Sequence, residues 1–255
     1  MAFTVHQLSL LALAVYDNPS SGIDGWRVVR QFGSFTQGFY AALFAKGRTL
    51  ALALRGTDDG WDIIPDLLIF MGQLPDQYAH ATAAFDRSAS YIGAGGMFKK
   101  FALTGHSLGG GLATLLAVQT GHPAVTFNAP GVSRSLASSL PSLTTTITST
   151  LPGDAAKARV VNIRANFDIV SIGTGPQVGS VDSIAVAGCA PVTAASRKAA
   201  FADAVKLSGR PVGAAAQSAV DVMASTGRFV LCQHGMALME QQLRNMPDYN
   251  RDLGW

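Results

Sequence analysis

Ser107, a serine flanked by glycines, is the residue of this sequence best suited to covalent chemistry. It lies in the motif Gly105-x-Ser107-x-Gly109, between an apolar run at 101–103 and a helix-like stretch at 112–117. Glycines let a strand turn sharply into a helix, because they allow backbone to approach backbone. The turn raises the serine oxygen above a helix N-terminus, whose N–H groups favour developing negative charge. The motif therefore predicts a nucleophilic serine at a strand-to-helix turn.

A serine nucleophile needs an adjacent base, and the sequence offers five histidines for that role. In hydrolases with this serine motif the chain order is serine, acid, histidine, which excludes His6 and His80. His106 lies within the turn itself, and His122 follows the predicted helix, at the far end of the sheet. His234 lies in a loop that enters a helix, and it is therefore the predicted general base.

The acid that orients the base is expected at the carboxyl end of a strand, where open α/β sheets place their sites. Asp168 follows the predicted strand 159–164 and is the predicted acid. Asp182 is the main alternative. Other carboxylates that follow the serine precede this strand or lie in helix-like stretches: Asp154, Asp203 and Asp221.

An oxyanion hole needs two backbone N–H donors. One is expected from Leu108, directly after the nucleophile, and the other from the loop after an earlier strand. Thr57 follows the strand-like run 49–55, so it is the candidate for the second donor, with its hydroxyl as a further one. The alternative, that Gly56 and Thr57 form only a turn, stays open.

The elements that must position these residues alternate between strand and helix. This alternation predicts a mostly parallel central sheet with helices on both faces, in a single domain 1–255. Together with the serine turn, which is that of an α/β hydrolase, it gives an expected α/β-hydrolase fold. The strand-like segments lie at 26–30, 39–44, 49–54, 101–103, 124–127 and 159–164. The helix-like segments lie at 5–15, 78–91, 112–117, 192–226 and from 234 through 243, and 133–150 reads as an irregular excursion.

Composition narrows the class of protein. The chain has 255 residues, of which 48% are hydrophobic and 14% charged, with a net charge of +3, so it is not a disordered chain. The positive charge is not clustered, which argues against nucleic acid as a partner and slightly favours approach to an anionic membrane. Cys189 and Cys232 are too few for a metal site, and buried thiols are favoured over a disulfide between them.

The N-terminal apolar run 8–15 admits two interpretations, a signal peptide or a helix of the mature fold. No Lys or Arg precedes Arg27, so the run lacks the charged region of a signal peptide. Thr4 and Gln7 have the spacing of a capping box, which favours a helix. Without a convincing signal peptide, the expected location is the cytoplasm, or outside the cell by a signal-independent route.

Several blocks in the right order resemble the class 3 lipase family, the fungal-lipase-like α/β hydrolases, and look most like its bacterial branches. The segment 52–57 is similar to the family's strand ending in an oxyanion-hole Ser or Thr, and 104–110 to its Gly-His-Ser-Leu-Gly-Gly turn. The segments 125–131 and 160–172 are similar to the next strand and to the block that carries the acid. His234 falls where the family has its base.

The resemblance implies a serine lipase or phospholipase that hydrolyses carboxylic esters of lipids through an acyl-enzyme. Ser107 is then the nucleophile, His234 the base and Asp168 the acid, while Thr57 and Leu108 hold the oxyanion. No metal or cofactor is required. The alternative is a non-catalytic module that keeps the fold and binds a lipid or a protein.

The substrate stays open between phospholipids, in a phospholipase A1-type reaction, and acylglycerols at a membrane or micelle surface. The segment 58–76 lies where family members carry a lid, and its apolar residues suit either a lid or a core helix. The segment 192–226 is the other candidate to cap the site. Some bacterial members are secreted effectors, and such a protein is expected to have a neutralising partner protein.

Overall fold

The protein is described by a computed structural model for residues 3–57, 76–92, 96–132, 159–166, 168–187 and 234–255. This part of the chain forms one seven-stranded sheet, in which the strands follow one another in chain order. The strands are β1 (Arg27–Ser34), β2 (Gln37–Lys46), β3 (Thr49–Leu54), β4 (Lys100–His106), β5 (Ala124–Phe127), β6 (Val160–Ala165) and β7 (Ser180–Ile184).

The sheet is mostly parallel, as the sequence predicts. Strands β1, β2 and β3 pair antiparallel, whereas β3 through β7 pair parallel to their neighbours. Leu54 pairs with Gly105, and His106 with Phe127, so the parallel strands end close to one line. The segments that leave β3, β4, β5 and β6 therefore meet at one edge of the sheet, where open α/β sheets bind their ligands.

Helices cover both faces of the sheet, which confirms the predicted α/β architecture. They are α1 (Val5–Ala14), α2 (Gln77–Ala89), α3 (Leu108–Thr120), α4 (Ile169–Gly173) and α5 (Met236–Arg244), and a 3-10 turn follows at Pro247–Asn250. Helices α1 and α5 contribute to one buried apolar cluster, and α2 and α3 to the other. Helix α1 begins after Thr4, whose hydroxyl accepts a 3.1 Å hydrogen bond from the Gln7 N–H.

Strand β3 shows why the sheet is apolar throughout. Every one of its residues is buried, because a sheet covered on both faces has no solvent-facing side. The side chains alternate in size as well as in direction. Leu50, Leu52 and Leu54 belong to the cluster with α2 and α3, while Ala51 and Ala53 belong to the cluster with α1 and α5. Alanines on this face leave room for α1 to pack close to the strand.

Strand β7, helix α4 and the 3-10 turn Pro247–Asn250 were not predicted from the sequence. Strand β7 is largely exposed, with only Ile184 buried, so it lacks the apolar run that marks the central strands. Helix α4 is only five residues long, too short for helical periodicity to show.

Several predicted features lie outside the described residues, so they remain predictions. They are the candidate lid apart from Asp76 (58–75), the excursion 133–150, the segment 192–226, Cys189 and Cys232, and the carboxylates Asp154, Asp203 and Asp221.

Among the helices in the described ranges, none is both long enough and apolar enough to span a bilayer.

Candidate active site

Ser107 stands at the apex of a sharp turn from β4 into α3. Its backbone has φ 54° and ψ −131°, a positive φ that non-glycine residues rarely adopt. The flanking glycines allow this turn. A Cβ on Gly105 would collide with the backbone of Gly109, at the start of α3. The sequence motif thus folds into the strand–turn–helix arrangement that the glycines predict.

The segment after β3 packs directly against this turn. A Cβ on Gly109 would collide with the Leu54 carbonyl oxygen and would come within 2.6 Å of the Arg55 carbonyl carbon. A Cβ on Gly56 would lie 3.1 Å from the Ser107 Cβ. Because Gly56 and Gly109 have no side chains, the segment that precedes Thr57 can pack directly against Ser107. Leu108 is the first residue of α3, a position whose N–H group has no intrahelical acceptor.

Arg55 fixes the course of the backbone just before Gly56. Its side chain is buried, and its guanidinium donates hydrogen bonds to the carbonyl oxygens of Phe35 at 2.8 Å and Gly38 at 3.4 Å. The same guanidinium lies 4.8 Å from the Phe35 ring and 5.4 Å from the Tyr40 ring, within the range of cation–π attraction. The strand end is thus tied to the antiparallel part of the sheet.

Asp168 lies fully buried just after β6, at the N-cap of α4. Its Oδ2 accepts a 2.8 Å hydrogen bond from the Ser171 N–H, and its Oδ1 lies 2.7 Å from the His234 Nδ1. Burial acts to raise the pKa of the Asp168 carboxyl. The His234 charge and the hydrogen bonds from His234 and Ser171 outweigh burial and lower that pKa. The carboxyl group is therefore ionised at neutral pH.

Because an ionised carboxylate only accepts hydrogen bonds, the His234 Nδ1 must carry the proton of this pair. In the neutral imidazole the lone pair is then on Nε2, the form a general base requires. This Nε2 atom is buried and has no hydrogen-bond partner among the residues that the structure describes. A buried polar atom without a partner needs an explanation. A role of Nε2 in accepting a proton during a reaction would explain this one.

The backbone of His234 is held beside the serine turn. Its carbonyl oxygen lies 2.6 Å from the His106 Nε2 and accepts a 3.0 Å hydrogen bond from the Asn128 side-chain amide. The imidazole rings of His106 and His234 lie 4.7 Å apart, centroid to centroid. His106 directly precedes Ser107. The predicted base therefore contacts the residue next to the predicted nucleophile, although 128 positions separate the two histidines in the sequence.

The competing candidates lie elsewhere. Asp182 is exposed within β7, where its carboxylate accepts a 3.5 Å hydrogen bond from the Tyr249 hydroxyl. His6 lies 3.1 Å from Glu240, and His80 stacks on Phe39 at the surface. The remaining histidine, His122, packs against Phe85 and Phe101. Phe101 is near the amino end of β4, so His122 lies at the far end of the sheet, as predicted.

Sequence reasoning missed two side chains that contact the histidines of this site, those of Tyr16 and Asn128. Tyr16 follows α1, and its hydroxyl lies 2.9 Å from the His106 Nδ1. No local pattern marks such a contact, which spans 90 positions. Asn128 had a usable signal, because it directly follows β5, and a polar residue at the carboxyl end of a parallel strand is a candidate site residue.

Across the described ranges, no group of three or more His, Cys, Asp or Glu side chains is arranged to hold a metal ion. The structure brings to this edge of the sheet the turn that bears Ser107, a histidine with an ionised carboxylate partner, and the N-terminus of α3. A nucleophile, a base with an orienting acid, and donors for negative charge together suit acyl transfer.

Comparisons with known proteins concern the family and the fold of this chain. A family model described as phospholipase-like, Tle-like phospholipase domain, matches residues 7–215. The extracellular phospholipase A1 of Serratia liquefaciens is 34% identical over 140 residues, which make up 50% of this chain and 42% of that protein. This chain therefore spans less than half the length of that relative.

Solved structures show the fold. Lipase II from Rhizopus niveus aligns with a TM-score of 0.52 and 16% identity, over 72% of this chain and 82% of that one. A second fungal lipase structure gives a TM-score of 0.51 and 16% identity, over 74% of this chain and 81% of that one. The fold is thus that of the lipase α/β hydrolases, as the class 3 lipase resemblance implies.

Proposed function

This chain belongs to the phospholipase-like family with a Tle-like phospholipase domain, and on that basis we propose that it hydrolyses the carboxylic esters of lipids. The observation that carries the proposal is the buried hydrogen bond of 2.7 Å between His234 and Asp168, next to the turn that bears Ser107. A buried carboxylate is costly unless it is hydrogen-bonded, and the partner of this one is a histidine. Beside a serine at a strand-to-helix turn, the pair suits nucleophilic catalysis.

In the proposed mechanism, the Ser107 Oγ forms a bond to the acyl carbon while its proton passes to the His234 Nε2. Collapse of the tetrahedral intermediate breaks the bond from the acyl carbon to the alcohol oxygen, and His234 returns the proton to that oxygen. Water then attacks the acyl-enzyme by the same route and releases the fatty acid. Asp168 keeps the imidazole in the right tautomer and stabilises the imidazolium.

The developing oxyanion is proposed to be held by the backbone N–H groups of Leu108 and Thr57. Leu108 supplies a free N–H at the start of α3, where the helix dipole also favours negative charge. Support for Thr57 comes from the packing of the preceding Gly56 against Ser107. Removing one oxyanion-hole donor typically lowers kcat by about 10²–10³-fold.

Phospholipids are the proposed substrates, attacked at the sn-1 ester as in a phospholipase A1. The family description and the name of the Serratia liquefaciens relative support this choice over acylglycerols. The net charge of +3 adds a weak electrostatic preference for anionic lipid surfaces.

The test uses the full chain and a Ser107→Ala control. A fluorophosphonate probe should label the native protein at Ser107, as located by peptide mass spectrometry, and should not label the control. Native protein is then incubated with phosphatidylcholine vesicles, phosphatidylglycerol vesicles and a triglyceride emulsion, and released fatty acids are measured by mass spectrometry. We expect release from both phospholipids, from the sn-1 position.

Three outcomes would contradict parts of this proposal. Release from triglyceride alone would exclude the phospholipase assignment and keep the lipase. Release only from short soluble esters would exclude lipids as substrates. Absence of labelling in folded protein would favour the non-catalytic binding module.

A further inference from the structure

A chain of hydrogen bonds connects the segment after β3 to the backbone of His234. The Gly56 N–H donates to the Tyr16 hydroxyl oxygen at 3.0 Å, and that oxygen lies 2.9 Å from the His106 Nδ1. The His106 Nε2 in turn lies 2.6 Å from the His234 carbonyl oxygen. The residue before the proposed oxyanion donor is thereby linked to the proposed base through two side chains, Tyr16 and His106.

Every proton in this chain can be assigned. A carbonyl oxygen only accepts, so the His106 Nε2 must carry a hydrogen. Burial, aided by the neighbouring His234 charge, lowers the pKa of His106 to about 3, so the ring is neutral at physiological pH and its Nδ1 is an acceptor. The Tyr16 hydroxyl then donates to Nδ1 and accepts from Gly56. This assignment gives each of the three donors, the Gly56 N–H, the Tyr16 hydroxyl and the His106 Nε2–H, an acceptor.

We propose that Tyr16 and His106 are positioning residues, which hold the His234 backbone and the Gly56–Thr57 segment in register with Ser107. The inference rests on the proposed function, because it concerns the same site. Neither side chain needs to touch the substrate. The two act through the groups they bind, and a displacement of about 1 Å at a reacting centre can cost 10²-fold in rate.

The packing supports a role in positioning. A Cβ on Gly56 would lie 2.5 Å from the Tyr16 hydroxyl oxygen and 2.5 Å from the His106 carbonyl oxygen, so the tyrosine fills the space that only a glycine leaves. The rings of Tyr16 and His106 meet edge to face at 5.7 Å. A neutral His106 also holds His234 without placing a second positive charge beside the imidazolium that forms in catalysis.

Tyr16→Phe is the direct test, because it removes only the hydroxyl. The matched control is Tyr78→Phe, which removes another hydroxyl from a buried tyrosine, one that donates to Gln119 on the other face of the sheet. Kinetics on a soluble ester and the rate of fluorophosphonate labelling are measured for both, together with Tm. We expect Tyr16→Phe to lower kcat and the labelling rate by roughly 10–100-fold, with KM little changed. Tyr78→Phe should shift Tm alone.

A second pair of variants tests whether Tyr16 acts through His106. His106→Gln keeps an N–H donor for the His234 carbonyl, and His106→Leu removes it. We expect His106→Gln to retain more of kcat than His106→Leu. If the two residues act as one unit, adding Tyr16→Phe to His106→Leu should cause little further loss.

The outcomes separate this inference from the proposed function. Equal kcat for Tyr16→Phe and Tyr78→Phe, with the native protein labelled normally, would overturn the positioning role alone. Additive losses in the double variant would overturn the connection through His106. Native protein that neither reacts with the probe nor hydrolyses any ester would overturn both.

Discussion

Asp168 and Asp182 lie on neighbouring parts of the sheet, but only Asp168 is enclosed. Asp168 is fully buried after β6 and bonded to His234, whereas Asp182 is exposed within β7, paired in register with Ile163 of β6. The difference is one of position along the strands. A residue that follows the carboxyl end of a parallel strand lies at the edge of the sheet where the site forms, whereas Asp182 lies within β7, which is largely exposed.

Asp168→Asn should therefore be far more damaging than Asp182→Asn. The amide cannot hold the His234 proton on Nδ1, so the wrong tautomer is favoured, and we expect kcat to fall by about 10⁴-fold. Asp182→Asn should leave kcat within about twofold, as for an exposed position away from the site. Steady-state kinetics on a soluble ester measure both. Comparable losses in the two variants would remove Asp168 from its proposed role.

Ser107→Ala and His234→Ala should show that the two residues act as a unit. Each single variant should lose nearly all turnover, about 10⁶-fold in kcat, because neither group works without the other. The double variant should be hardly worse than either single one. Kinetics on the same ester measure this cycle, with circular dichroism to verify that each variant is folded. Independent, multiplying losses would mean that His234 does not serve Ser107.

Local sequence signals predicted the central part of the fold. Three features determine structure within a few residues and can therefore be recognised from the sequence. They are the apolar run of β3, the cap of α1 at Thr4 and the glycines around Ser107. Strand β7 was missed because its residues are mostly exposed and its place depends on pairing with β6. An edge strand is defined by its neighbour more than by its own composition.

The site was predictable in part for the same reason. Chain order and the carboxyl ends of strands pointed to Asp168 and His234, and the structure places their side chains 2.7 Å apart. The partners of the supporting residues were not predictable, although the position of Asn128 directly after β5 marked it as a candidate. Tyr16 meets His106 across 90 positions, and Asn128 meets His234 across 106. Such contacts follow from how α1 and β5 pack, which no motif records.

Replacing His106 with glutamine should change how stability depends on pH. The unfolded chain binds a proton at His106 below about pH 6.5, but the folded protein does so only near the lowered pKa of about 3. Between about pH 6.5 and pH 3, the unfolded state therefore binds more protons at this group than the folded state does. The free energy of unfolding therefore falls as pH drops, by up to roughly 1.4 kcal/mol per pH unit from this group.

The native protein should thus lose more stability between pH 6.5 and about pH 4.5 than His106→Gln does. Urea unfolding at both pH values measures the difference, and His80→Gln, at an exposed position on α2, controls for the loss of a histidine. If His106→Gln and the native protein lost the same free energy of unfolding over this pH range, protonation of the His106 ring would not destabilise the folded state. The ring would then not be held neutral between Tyr16 and His234.

Gly109→Ala should show that close backbone packing fixes the serine turn against β3. The new Cβ would collide with the Leu54 carbonyl oxygen, a backbone atom that cannot rotate away. We expect a loss of about 3 kcal/mol or more in the free energy of unfolding, at or beyond the upper end for overpacked sites, with slower fluorophosphonate labelling.

Gly121→Ala is the matched control, because Gly121 ends α3 with φ 72° and has open space where a Cβ would lie. It should cost only about 1–2 kcal/mol of backbone strain and leave labelling unchanged. Urea unfolding and the labelling rate measure both variants. If Gly109→Ala were no worse than Gly121→Ala, α3 would be free to move away from β3. The contact between the two elements would then not be what sets the distance from Leu108 to Thr57.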